Sequence, residues 1–151
     1  MKAIIQRVSS ASVNIDGSVY NAIREGYVIL LGVADGDTEA EARLLAEKTA
    51  YLRIFCDEND KMNRSLLDVG GQVLVISNFT LCADTSHGRR PSFINAMEPQ
   101  TAEELYIKYM EFLKEQGVKT VVSGQFGADM KVTLTNDGPI TIILDTKEWK
   151  K

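Results

Sequence analysis

The sequence predicts an α+β fold: a barrel-like, mostly antiparallel β-sheet with two amphipathic helices packed outside. Three observations carry that expectation. Strand-like runs are many and helical ones are two, and they do not alternate regularly as a parallel βαβ sheet requires. Two of the strand-like runs are almost continuously apolar, the pattern of strands covered on both faces. Across 151 residues there is no repeat, low-complexity tract or proline-rich linker, so residues 1–151 are expected to form one domain with its own core.

The elements follow in order. "AIIQRVSSASVNIDGSVYNAI" reads as two strands around Asp16-Gly17, a two-residue turn signal flanked by alternating residues. "YVILLGVA" (27–34) is an apolar run of strand length. In "DGDTEAEARLLAEKTAYLRIF", Asp37 or Thr38 can cap a helix whose first turn is favoured by Glu39 and Glu41. Its expected buried stripe is Leu44, Leu45, Lys48, Tyr51, Leu52 and Phe55, with the lysine as the one polar member. "DENDKMN" is a polar turn, Gly70-Gly71 a second turn, and "QVLVISNFTL" (72–81) another largely buried strand. Periodicity then fails from Cys82 to Pro99, and irregular stretches of this length tend to be functional or mobile. "TAEELYIKYMEFLKEQG" (101–117) is the second helix, with Leu105, Tyr106, Tyr109, Phe112 and Leu113 on one stripe and Gly117 as its stop. The chain closes with "TLTNDGPITIIL" (133–144), which reads as a hairpin around Asn136-Asp137-Gly138, and with a charged tail, "KEWKK".

Composition excludes several functions. A net charge of −4 and an estimated pI of 5.1 argue against a global positive field for nucleic acid, though not against a local basic patch. No apolar run approaches the roughly 20 residues that span a bilayer, and "MKAIIQRVSS" lacks the apolar core and cleavage site of a signal peptide. Cys56 and Cys82 build no disulfide framework and read as buried, reduced thiols of a cytoplasmic protein. One histidine, distant cysteines and scattered carboxylates make no metal site, and no phosphate-cradling glycine loop is present.

Two polar spots and one proline interrupt this bland picture. Ser77, Asn78 and Thr80 stand at the exit of an apolar strand, where they either serve a site or cap the strand and satisfy loop amides. A Thr80 nucleophile would need a base within reach, and nothing in the sequence brings His87, more simply a solvated loop residue, to it. "RRPSF" offers Arg89 and Arg90 to phosphate and Phe93 to a base, or else a solvated loop with Phe93 tucked into the core. Pro139 sits where a returning strand should donate hydrogen bonds. Either it starts an edge strand in the ordinary trans form, or the cheapness of cis at an X–Pro bond is being used.

Seven motifs taken together decide between these readings: "QRV" (6–8), "ASV" (11–13), "LLGV" (30–33), "KMN" (61–63), "SNFTL" (77–81), "RRPSF" (89–93) and "NDGP" (136–139). In this order, over nearly the whole chain, they resemble the D-aminoacyl-tRNA deacylase (D-tyrosyl-tRNA deacylase) family. One position departs: Asn78 stands where the family usually has glutamine. The resemblance implies a two-fold homodimer with active sites at the interface and a proofreading hydrolase that frees tRNA from D-amino acids and from mischarged glycine, with no metal or cofactor. It further implies that Gly138 and Pro139 form a Gly-cis-Pro pair entering the partner's pocket, braced by Arg7. There the pair would act as a chirality filter, with Met130 lining the pocket. Catalysis would fall to Ser77, Asn78, Phe79 and Thr80, chiefly through backbone N–H groups around Phe79 and Thr80. Phe79 would stack on the terminal adenine, and Arg89 and Arg90 would meet acceptor-stem phosphates. The alternative is a non-catalytic tRNA-binding module of the same fold, in which Asn78 marks lost activity.

Overall fold

The computed structural model describes residues 1–149; Lys150 and Lys151 of the charged tail lie outside the described residues. The first strand, β1 (Lys2–Ile15), turns at Asp16-Gly17 into β2 (Ser18–Ile23), and both turn residues take positive φ, as a tight hairpin turn demands. The third strand, β3 (Gly26–Gly32), keeps the register of β2 against β1: Ala11 faces Ile23 and Val8 faces Gly26. The two are therefore one antiparallel partner interrupted at residues 24–25.

Helix α1 (Glu39–Tyr51) follows, then the short strands β4 (Phe55–Cys56) and β5 (Met62–Arg64), which pair with each other. A one-turn helix α2 (Leu66–Val69), absent from the sequence reading, is closed by a Ser65–Asp68 capping box and by Gly70 in the left-handed region. Strand β6 (Gln72–Ser77) pairs in parallel with β3, and β7 (Val121–Ser123) in parallel with β6. Helix α3 (Pro99–Glu115) lies between them in sequence, and β8 (Lys131–Asp145) returns along the other edge of β1. The mixed sheet curls on itself, and the Asn21 side chain of β2 donates to the Ser123 carbonyl of β7 at 2.7 Å.

Two cores explain the continuous apolar runs. Tyr27, Ile29, Leu31, Val73 and Val75 face the helices, while their alternates Val28, Leu74 and Ile76 join Val8, Ala11 and Val13 inside the curl. Strands β3 and β6 are thus covered on both faces, as expected.

Four readings are corrected. The α1 stripe is shifted: Ala42, Leu45, Ala46, Thr49 and Ala50 are buried, whereas Leu44 and Tyr51 are exposed. The helix ends at Tyr51, before Leu52 and Phe55. Small residues admit the bulky α3 face, whose Leu105, Tyr106, Tyr109, Phe112 and Leu113 are buried as expected. Thr38 is the cap, in a capping box with Glu41; Asp37 instead holds the Met1 ammonium at 2.8 Å.

The 72–81 strand stops at Ser77, and Phe79–Cys82 wind into a single 3-10 turn. Cys56 is exposed and Cys82 half-buried, both free. Finally, 133–144 is no hairpin: both runs pair with β1, in one direction. Gln6 faces Thr141 and Val8 faces Asn136, so Arg7 alone faces an excursion of four residues, Asp137 to Ile140.

Candidate active site

A cavity of about 720 Å³ opens where β6 ends. Ser77, Asn78 and Phe79 line it from the strand exit, Phe93 and Met97 from the irregular loop, Tyr106 from α3, and Phe126 and Met130 from the approach to β8. Its walls are mainly apolar, with a few polar groups at one lip, as small-molecule sites commonly are.

The lip is shaped by two glycines. At Gly32 a Cβ would lie 2.9 Å from Leu81 Cβ, so only glycine lets the 3-10 turn pack on β3. At Gly124 a Cβ would strike Met130 Sδ at 2.4 Å, so the missing side chain makes room for Met130 on the wall. The Asn78 N–H donates to Leu31 O at 2.8 Å, tying the turn to the sheet.

Within the turn the first hydrogen bond runs from Leu81 N–H to Asn78 O. The amides of Phe79 and Thr80 precede it and so lie outside the turn's ladder, and no side chain among the described residues caps them. Asn78 Oδ1 accepts instead from the Thr80 hydroxyl. The Phe79 ring is 58 % exposed and meets Phe93 edge-on, with centroids 5.0 Å apart. Deeper in, Tyr106 donates to Val75 O at 3.1 Å, and burial pushes its phenol up to about 12, which keeps it neutral. Burial likewise raises the Cys82 thiol, whose Sγ lies 3.5 Å from Val33 O.

The expected residues therefore divide into three places. Ser77, Asn78, Phe79 and Met130 share the cavity, with Thr80 in the same turn. Arg89 and Arg90 are exposed on a loop pinched by the mutual Asp84–Ser92 backbone bonds of 2.8 and 2.9 Å. His87 sits there too, its Nδ1 2.8 Å from Ser86 Oγ.

Gly138, Pro139 and Arg7 form the third place. The Gly138–Pro139 peptide is cis, exposed, and outside the cavity of its own chain. Arg7 pairs with Tyr27 and Ser77 with Leu31, which separates them by roughly 13 Å along the strands. The Arg7 side chain is buried against the excursion. It donates to Ile54 O at 2.7 Å and lies 3.5 Å from the Asp137 carboxylate and 6.0 Å from the Phe55 ring centroid.

Sequence reasoning missed Met97 and Phe126, which belong to stretches without periodicity, and the part of Tyr106 that faces the cavity. Tyr106 was legible only as a member of the α3 stripe.

The chain is similar to known proteins over nearly its whole length. The family model described as D-Tyr-tRNA(Tyr) deacylase matches residues 4–145. A D-aminoacyl-tRNA deacylase of Roseiflexus castenholzii is 58% identical over 100% of this chain and 96% of its own length. One of Clostridium botulinum is 50% identical over 98% of this chain and 99% of its own. A solved structure titled c-Myc DNA unwinding element binding protein superposes with a TM-score of 0.91 at 38% identity, covering 96% of this chain and 98% of that one. A probable eukaryotic D-amino acid tRNA deacylase, at 16% identity and a TM-score of 0.81 over 95% of this chain and 97% of that one, shares the fold. With a family model spanning nearly its full length and relatives at half identity or more, the chain belongs to the D-Tyr-tRNA(Tyr) deacylase family.

Proposed function

We propose that the protein hydrolyses the ester joining a D-amino acid, or glycine, to the terminal ribose of tRNA, at the cavity beside Ser77–Thr80. The observation that carries this reading is the uncapped Phe79 amide at the lip of an apolar cavity, with the uncapped Thr80 amide next in the same turn, in a chain whose relatives are named D-aminoacyl-tRNA deacylase. An aminoacyl ester is already activated. Water, assisted by the neighbouring ribose 2′-hydroxyl, adds to the carbonyl carbon, and the two amides stabilise the oxyanion that forms. Collapse of this intermediate breaks the C–O bond to the ribose 3′-oxygen, which takes a proton, and frees the amino acid. Phe79 stacks on the terminal adenine, and Arg89 and Arg90 meet acceptor-stem phosphates.

Selectivity lies in the Gly138–Pro139 turn, which a homodimer supplies from one subunit to the cavity of the other. Its exposure, outside the cavity of its own chain, supports that arrangement. The carbonyls of the turn hold the substrate ammonium and fill the space an L side chain needs, and steric rejection discriminates sharply. Glycine has no side chain to reject. Aminoacyl-tRNA as substrate makes the cytoplasm the place of action.

Incubation with D-Tyr-tRNA and L-Tyr-tRNA tests the reading. Preferential release of D-tyrosine is expected, and equal rates for both esters would end it. A protein that stays monomeric at assay concentration yet selects the D ester would rule out the cross-subunit filter.

A further inference from the structure

Asn136 opens the last of the seven motifs, "NDGP" (136–139), and its side chain takes no part in the proposed chemistry. An antiparallel ladder supplies each strand carbonyl with an N–H from its neighbour. That supply fails where Arg7 faces the four looped-out residues 137–140, and the carbonyls of Arg7 and Ile140 lie on the two sides of the gap. The Asn136 side-chain nitrogen donates to both, at 3.0 Å to Arg7 O and 2.9 Å to Ile140 O. Both hydrogens of one amide are thereby used, and the neck of the excursion is stitched to β1 and to itself.

We propose that Asn136 is a positioning residue: it closes the neck of the Gly138–Pro139 turn and thereby sets how sharply the enzyme separates D from L esters. Beyond the neck the turn has two further holds on β1. The Asp137 carboxylate lies 3.5 Å from the Arg7 guanidinium, and Gly138 lies beside the same group, where a Cβ would stand at an ordinary contact distance of 3.5 Å. The Asp137 side chain is exposed, so its ion pair with Arg7 is screened. The half-buried Asn136 amide is the firmer anchor. A neck fixed on both sides keeps the carbonyls of the turn in place to within a fraction of an ångström, which steric sorting of two mirror images requires. Among side chains of this size, only the amide does this. Aspartate at 136 has no hydrogen to give and would face two carbonyls with a carboxylate, and serine can serve one carbonyl at most.

The inference rests on the turn being the chiral filter. The experiment compares kcat/KM for D-Tyr-tRNA and L-Tyr-tRNA in the wild type, Asn136→Ala, Asn136→Ser, Gly138→Ala and Thr49→Val, with Tm measured for each. Asn136→Ala is expected to lower the D-to-L ratio by about tenfold or more, chiefly through faster L hydrolysis, with KM for the D ester nearly unchanged. Asn136→Ser should fall between it and the wild type. Thr49→Val loses a buried hydrogen bond among the helices, away from the turn, so it should lower Tm and leave the ratio alone. A lowered Tm with an unchanged ratio in Asn136→Ala would reduce Asn136 to a structural role and overturn the proposal. If that variant does not fold, the ratio in Asn136→Ser decides in the same way. A wild type without D preference, or Gly138→Ala with the wild-type ratio, would instead bring down the filter itself, and this inference with it.

Discussion

The Thr80 hydroxyl donates its hydrogen bond to the side-chain oxygen of Asn78, two residues earlier in the same turn. An amide oxygen accepts a hydrogen bond but does not take the proton, so this contact orients the hydroxyl without activating it. The side-chain amide of Asn78 thus engages the turn. Thr80→Ala should therefore lower kcat for D-Tyr-tRNA by less than about tenfold, since a positioned water and backbone donors remain. Single-turnover hydrolysis measures this; complete loss with the fold intact would restore Thr80 as nucleophile.

Phe79 presents an exposed ring, held edge-on by Phe93, at the mouth of the cavity. Removing a base-stacking aromatic costs about 1–3 kcal/mol, so Phe79→Ala should raise KM for aminoacyl-tRNA by roughly one to two orders of magnitude, with kcat changed far less. Steady-state kinetics at fixed ionic strength separates the two.

Gly138 has φ of +126°, and a Cβ there would meet Ile140 Cγ1 at 2.7 Å and Ile140 N at 2.9 Å. Gly138→Ala must displace the turn. Because residues 137–139 are exposed and only Ile140 packs on the helix-facing core, the expected outcome is a reduced D-to-L ratio of kcat/KM with a modest drop in Tm.

Thr49 and Tyr109 share a buried hydrogen bond of 2.8 Å between α1 and α3, and the Thr49 hydroxyl also donates to Leu45 O at 2.7 Å. Burial raises the Tyr109 phenol well above its ordinary value, so it stays protonated and depends on that partner. Thr49→Val keeps the shape, strands the phenol, and should cost about 1–3 kcal/mol. A lower urea midpoint at unchanged m-value would show it.

Glu98 caps α3. Its carboxylate accepts from the Thr101 hydroxyl and from the Thr101 and Gln100 amides, which holds its pKa below the ordinary value of 4.5. The unfolded chain then takes up the proton first as pH falls. The stabilisation is present above 4.5 and is lost as pH drops through the lower folded value. Glu98→Gln keeps the acceptor oxygen without the titration, so its urea midpoint should depend less on pH than the wild type's over about pH 5 to 3.

Local chemistry was legible in the chain. Asp16-Gly17 demanded a tight turn, the α3 stripe at 3.6-residue spacing marked its buried face, and the apolar runs of β3 and β6 announced strands covered twice. The motif at 77–81 pointed to the strand exit where the cavity lies, because a break in apolar patterning is itself a local signal.

What only the tertiary structure decided was pairing. Residues 133–144 carry every mark of a hairpin, yet both halves bind β1, since the long first strand offers an unpaired edge to each. Turn residues specify that a chain bends, not which strand receives it. The buried face of α1 was settled in the same way, by the room that α3 requires. The joining of Arg7, Asn136 and Asp137 around one excursion followed from register alone, because residues 129 positions apart become neighbours only when two strands align.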